Sequence, residues 1–165
     1  MSILLNFLKE LEQESVVTRK MLERVPAEKS EWQPHPKSMN IKNLAAHIAE
    51  LPGWISMAFT TTEMDFASSP YQPPVWHTNA ELLAIFEEAL AAAKDHLTKG
   101  TETELEPEWI LRNGEEIYMK ITKGELVRHA MSQTIHHRAQ LGVYLRLLDI
   151  PIPGTYGPSA DEQNF

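Results

Sequence analysis

Four stretches of this chain return an apolar residue every three or four positions, and prolines or capping residues stand at the joints between them. From Ile3 to Val25 the residues Leu4, Phe7, Leu8, Leu11, Val17, Met21, Leu22 and Val25 trace the stripe of one amphipathic helix, which Pro26 ends. The segment from Pro26 to Met39, with Pro34 and Pro36 around Trp32, reads as an ordered loop. Asn40 can cap a second helix with Ile41, Leu44, Ile48 and Leu51 on its apolar side; Pro52-Gly53 should kink or break it before Trp54 to Phe59. Residues 60–77, carrying Pro70, Pro73 and Pro74, form a long connection of the kind that is functional or covers something. Thr78-Asn79-Ala80-Glu81 is a capping box that opens an alanine-rich helix to Lys99, before Gly100.

The period then changes. Trp109-Ile110-Leu111-Arg112 and Glu115-Glu116-Ile117-Tyr118-Met119 flank Asn113-Gly114, the pair best suited to a two-residue type I′ hairpin turn. A second capping box, Thr122-Lys123-Gly124-Glu125, starts a last helix whose stripe is Leu126, Ala130, Thr134, His137, Leu141, Tyr144 or Leu145, and Leu148; it runs to Asp149, and Pro151 and Pro153 stop it. The expected fold is an all-α four-helix bundle, one domain over residues 1–165, with a small β-hairpin before the last helix. Its 42% hydrophobic residues suffice for a core without covalent staples.

Charge and missing residue types narrow the chemistry. A net charge of −8 opposes the phosphate neutralisation on which nucleic-acid binding rests. With no cysteine there is no disulfide, no thiolate nucleophile and no Cys-based metal site, so any metal must be held by His, carboxylates or amides. The stretch from Met1 to Glu10 lacks the basic start of a signal peptide, and no window approaches the roughly 18 apolar residues of a membrane span, so the chain is expected to be cytoplasmic. Phosphate loops, Gly-x-Ser-x-Gly elbows and His-Glu-x-x-His pairs are absent. Glu10, Glu12 and Glu14 of the first helix read as a solvated face.

The histidines remain. Gln133 and His137 are one helical turn apart on the last helix and project from one face, and His47 lies beside the inward side of the second. Two helices can therefore bring His47, Gln133 and His137 to one interior point, as bundle metal sites are built. Periodicity equally allows these groups to be hydrogen-bonded core or boundary residues. His129 and His136 share a face offset from His137, as alternative ligands or boundary residues; Arg138 and Gln140 could orient the ligands or bind a carboxylate. His35, His77 and His96 have no partner at metal spacing and read as surface or loop residues. Trp32, Trp54, Trp76 and Trp109 either cap the ends of the fold or line a pocket.

These motifs carry a resemblance. The stretch Asn40-Ile41-Lys42-Asn43-Leu44-Ala45-Ala46-His47-Ile48-Ala49-Glu50, followed by Trp54, is similar to the second-helix signature of the DinB/YfiT-like superfamily. His136-His137-Arg138-Ala139-Gln140-Leu141 with Tyr144-Leu145-Arg146 resembles its His-His-Arg-Gly-Gln-Leu motif, and Trp32-Gln33-Pro34-His35-Pro36 and the tail from Ile152 to Glu162 also match. The resemblance implies a four-helix bundle holding a divalent ion, nickel or zinc, through His47, Gln133 and His137. The chain departs from the family at Gln133, where His is usual, and an amide carbonyl is a weaker ligand for such ions than imidazole. It further implies a thiol S-transferase-like or hydrolase-like enzyme in which the ion activates a low-molecular-weight thiol or a water, acting on a small-molecule substrate, and a homodimer. The alternative is a non-catalytic bundle of the same type, metal-free or binding a small molecule, in stress response.

Overall fold

Each of the last three helices starts where a side chain replaces a missing backbone partner. Asn40 accepts from the Asn43 N–H at 2.9 Å and opens α2, Ile41–Thr60. Thr78 accepts from the Glu81 N–H at 3.2 Å and opens α3, Asn79–Lys99. The expected reciprocal bond is displaced by one residue, because Glu81 accepts from the His77 N–H rather than from Thr78. Thr122 and Glu125 form the complete box, at 2.7 and 3.2 Å, and open α4, Lys123–Leu147. The first helix, α1, Ile3–Leu22, has no capping side chain of its own; its Ile3 N–H donates instead to the Glu102 carboxylate at 2.9 Å. The chain is seen as a computed structural model that describes residues 2–163; Met1, Asn164 and Phe165, part of the expected 1–165 domain, lie outside them. No described helix is long and apolar enough to cross a membrane.

Both α1 and α2 pack against α3 and α4, so the order around the core is α1–α3–α2–α4. Leu22, Leu44, Ile48, Ile55, Leu82, Phe86, Leu126 and Leu141 are buried within it. Each contributes about 1.5–3 kcal/mol relative to an exposed side chain. Of the kink or break expected at Pro52-Gly53, the break does not occur: α2 is one helix through Pro52. Proline removes the hydrogen bond its own N–H would donate to the Ile48 carbonyl, but the ring is buried, bordering a small void with Leu11, Phe86 and Met131, and burial on both sides of α2 holds the helix together.

The sheet is larger than the expected hairpin. Strands β1 (Glu63–Asp65), β2 (Glu108–Asn113) and β3 (Glu116–Thr122) lie in that order, β1 parallel to β2 and β2 antiparallel to β3. The all-α expectation therefore holds for the four helices and fails for β1, which pairs Glu63 with Ile110 and Asp65 with Arg112. The hairpin turn is also shifted by one residue. Asn113 pairs with Glu116, the loop is Gly114-Glu115, and positive φ falls on Gly114 alone (60°), the type II′ requirement rather than type I′. Its cause is visible in β1, where one Asp65 carboxylate oxygen accepts from the N–H groups of Gly114 (2.9 Å) and Ala67 (3.0 Å).

Two tryptophans pin the connections. Trp109 is fully buried and donates to Thr61 Oγ1 at 2.9 Å; Trp76 is 2% exposed and donates to the Lys42 carbonyl at 3.1 Å. The second anchor fixes the far end of the connection after β1 beside the first turn of α2. That connection crosses the face of α2 on which His47 lies.

Candidate functional site

The fold brings His47 on α2 and His137 on α4 together, with ring centroids 4.8 Å apart and planes at 76°. They share a pocket of about 320 Å³ with Met39, Asn43, Tyr71 and Pro73. Each imidazole is oriented from its own helix. His47 Nδ1 donates to Glu50 Oε1 at 2.8 Å, and His137 Nδ1 donates to Gln140 Oε1 at 2.8 Å; both acceptors are three residues further along, one turn away on the same face. A carboxylate oxygen has no proton to give, so the bond to Glu50 fixes His47 as the Nδ1–H tautomer. No hydrogen bond to a described residue engages Nε2 of either ring.

Burial pushes the His137 imidazole below its ordinary value, the neighbouring His47 and His136 act in the same direction, and the bond to Gln140 opposes them. The ring is accordingly neutral at pH 7, the form in which imidazole binds a metal. Two imidazoles, each tied at Nδ1 and open at Nε2, suit a divalent ion of borderline softness. Among the described residues no three His, Asp or Glu side chains converge into a cage.

The other expected residues are placed less centrally. Gln133 lies one turn before His137 on α4, half-buried, and is not among the residues lining the histidine pocket. His136 is exposed, its ring 4.8 Å from that of His137; His129 stacks on Trp54 at 6.4 Å, and Trp54 meets His47 edge-on at 6.2 Å. Gln140 does orient a histidine, whereas Arg138 turns to the opposite side and binds a carboxylate, that of Glu14. Glu14 is thereby removed from the solvated face assigned to it: its side chain is 13% exposed. His96 stacks on Phe59, and His35 accepts from the Lys37 N–H. Trp54 lines a second hollow of about 470 Å³ that adjoins the first at Tyr71. A larger cavity of about 520 Å³ lies on the far side of α4, but its two arginines, Arg138 and Arg146, are already engaged by Glu14 and Asp161.

Glu50 and Tyr71 were not expected at the site. The Tyr71 hydroxyl donates to Glu50 Oε1, the same oxygen that accepts from His47. Burial and that carboxylate both raise the phenol above its ordinary value, so it stays protonated and a donor. The His47–Glu50 spacing was a readable signal; Tyr71, in a connection without periodicity, had none.

Comparison with known proteins agrees with this arrangement of helices. The uncharacterised protein YrdA of Bacillus subtilis (strain 168) is 24% identical over 157 residues, covering 95% of this chain and 90% of that one. The crystal structure of the DinB-like protein YjoA from Bacillus subtilis superposes with a TM-score of 0.68 at 18% identity, over 96% of this chain and 99% of that one. The mycothiol-dependent maleylpyruvate isomerase superposes with a TM-score of 0.59 at 12% identity, over 86% of this chain and 61% of that one. The sequence matches the DinB family over residues 1–164, and with its two helix motifs in order and its histidines facing each other across α2 and α4, the chain belongs to the DinB family.

Proposed function

We propose that the protein is a metal-dependent enzyme, thiol S-transferase-like or hydrolase-like, whose centre is held by His47 and His137 with Gln133 as the third protein donor. The observation that carries this reading is the pair of imidazoles 4.8 Å apart, each tied at Nδ1 and each lining one pocket. A bundle interior supplies the low-dielectric surroundings in which such a centre acts. Likeness in fold to a mycothiol-dependent isomerase supports a thiol as cosubstrate, which the lack of cysteine in this chain would require from outside.

A divalent ion, nickel or zinc, when bound there supplies a Lewis acid that lowers the pKa of a coordinated thiol or water to near neutrality. The protein's own groups do the rest. Glu50 and Gln140 hold the two rings in the tautomer that leaves Nε2 free, Met39 and Pro73 give the pocket an apolar part of its wall, and Asn43 offers an amide to a polar group of the substrate. Zinc or nickel titrated into metal-free protein should give a one-to-one isotherm that His47→Ala and His137→Ala each abolish; affinity surviving both changes would remove the proposed site.

The second reading, a non-catalytic bundle of the same type, is favoured by one residue. An amide at position 133 in place of imidazole weakens the donor set, and a metal-free protein binding a small molecule would need no third ligand.

A further inference from the structure

One oxygen at the site does two jobs. Glu50 Oε1 accepts from His47 Nδ1–H at 2.8 Å and from the Tyr71 hydroxyl, while Oε2 of the same carboxylate makes no hydrogen bond to a described residue. The carboxylate is largely withdrawn from solvent, its side chain 17% exposed, and that of His47 20%. Tyr71 belongs to the proline-rich connection between β1 and α3 and forms part of the wall of both adjoining hollows. A covering segment, a shared carboxylate and a candidate ligand are thus in series.

We infer that Glu50 is the positioning residue of His47 and that Tyr71 competes with His47 for its acceptor oxygen, so that the connection over the pocket tunes the donor strength of the imidazole beneath it. The inference rests on His47 being a ligand, as proposed above. Two donors on one oxygen share its electron density. Each bond is weaker than it would be alone, and polarisation along the chain from phenol to carboxylate to imidazole passes through that one atom. A carboxylate accepting from Nδ1–H makes the opposite nitrogen a better ligand, so whatever draws the phenol away strengthens His47. A substrate that pushes the connection outward, or offers Tyr71 another acceptor, would tighten the centre as it binds. Plain docking of the loop predicts the reverse, since releasing Tyr71 would only loosen the pocket wall.

The sign of one substitution therefore separates the two cases. Zinc affinity is measured by competition with a chromophoric chelator for wild type, Glu50→Ala, Glu50→Gln and Tyr71→Phe, with the melting temperature of each metal-free protein taken alongside. Glu50→Ala should weaken binding by about 10–100-fold, the usual cost of losing a group that orients a ligand. Glu50→Gln keeps an acceptor oxygen and should recover most of that loss. Tyr71→Phe should tighten binding by about twofold, a fraction of one hydrogen bond's net contribution. Tyr71→Phe that weakens binding overturns the competition. The tautomer of His47, read from two-bond nitrogen–proton correlations of the metal-free protein, is independent of any metal: wild type, Glu50→Gln and Tyr71→Phe should show Nδ1–H, and Glu50→Ala should move toward the mixture of free imidazole. No change of tautomer in Glu50→Ala overturns the positioning role. Wild type that binds no zinc while the tautomers behave as expected sinks the metal reading and leaves Glu50 as the group that orients His47.

Discussion

His137 sits between opposing influences whose balance has a consequence for stability. Burial and its histidine neighbours hold the folded imidazole below the ordinary value of about 6.5, while the unfolded chain keeps that value. As pH falls, the unfolded state takes up the proton first. The contribution of His137 is therefore complete above about pH 6.5 and is lost as pH falls through the folded-state value. His137→Asn should flatten the acid side of a plot of urea midpoint against pH, and an unchanged slope would locate the sensitivity elsewhere. At position 133 the expectation is opposite in kind: Gln133→His exchanges a weak amide donor for an imidazole one turn from His137, and should raise zinc affinity roughly tenfold or more, about 1.4 kcal/mol. Calorimetry showing equal affinities would mean that residue 133 does not reach the centre. His47 and His137 were legible because helical periodicity fixes which positions face inward and the order of the helices leaves them opposed. Glu50 was legible only in part: its spacing from His47 is visible, but nothing local says that the carboxylate turns toward the ring. Tyr71 depends on a contact across 21 positions from an aperiodic segment, which no local pattern encodes.

Among the elements, those that obey local rules are the ones the sequence announces, and the exceptions arise where tertiary contacts decide. Capping residues and stripes locate α2, α3 and α4 to within a few positions, because caps and amphipathic spacing act within one turn. Pro52 breaks a local rule and is overruled, since the hydrogen bond it forgoes is small beside the burial of Leu51 and Ile55 on its flanks. β1 is three residues long and finds its partner across more than forty positions, so no alternation marks it. Its grip on the hairpin moves the turn onto Gly114, whose φ of 60° is costly for any residue with a Cβ. Gly114→Ala should cost about 1–2 kcal/mol in urea unfolding although the added methyl meets nothing closer than 3.8 Å, so the loss is conformational and not steric. Asp65→Ala, which releases the Gly114 N–H, should lessen that penalty if β1 is what holds the turn in place, and leave it intact if the turn is intrinsic to Asn113-Gly114.

Across the whole molecule, the chain ends are joined through the side of α4 that faces away from the histidines. Arg138, the residue after His137, is 2% exposed and donates to Glu14 Oε2 at 2.6 Å, to Thr18 Oγ1 at 3.0 Å and to the Tyr156 hydroxyl at 2.9 Å; that hydroxyl donates in turn to Glu14 Oε1 at 2.8 Å. One guanidinium thereby fastens α1 and the tail after Pro153 to α4, and because consecutive helix residues point about 100° apart, it also sets the rotation at which His137 meets His47. A buried pair of this kind is costly to assemble and costlier to halve. Arg138→Ala leaves Glu14 charged and unpaired and should lose about 3–5 kcal/mol, whereas Arg138→Met with Glu14→Leu removes both charges, keeps most of the volume and should lose far less than the sum of the single changes. Denaturant midpoints of wild type, Arg138→Met, Glu14→Leu and the double variant give the coupling directly; strict additivity would show that the two side chains act independently and that the tail is held by other contacts. Because the same arginine fixes the rotation of α4, Arg138→Ala should also weaken zinc binding at a centre it does not touch. Arg146→Ala, which releases Asp161 from the exposed end of the same tail, should cost at most about 1 kcal/mol and leave zinc affinity unchanged.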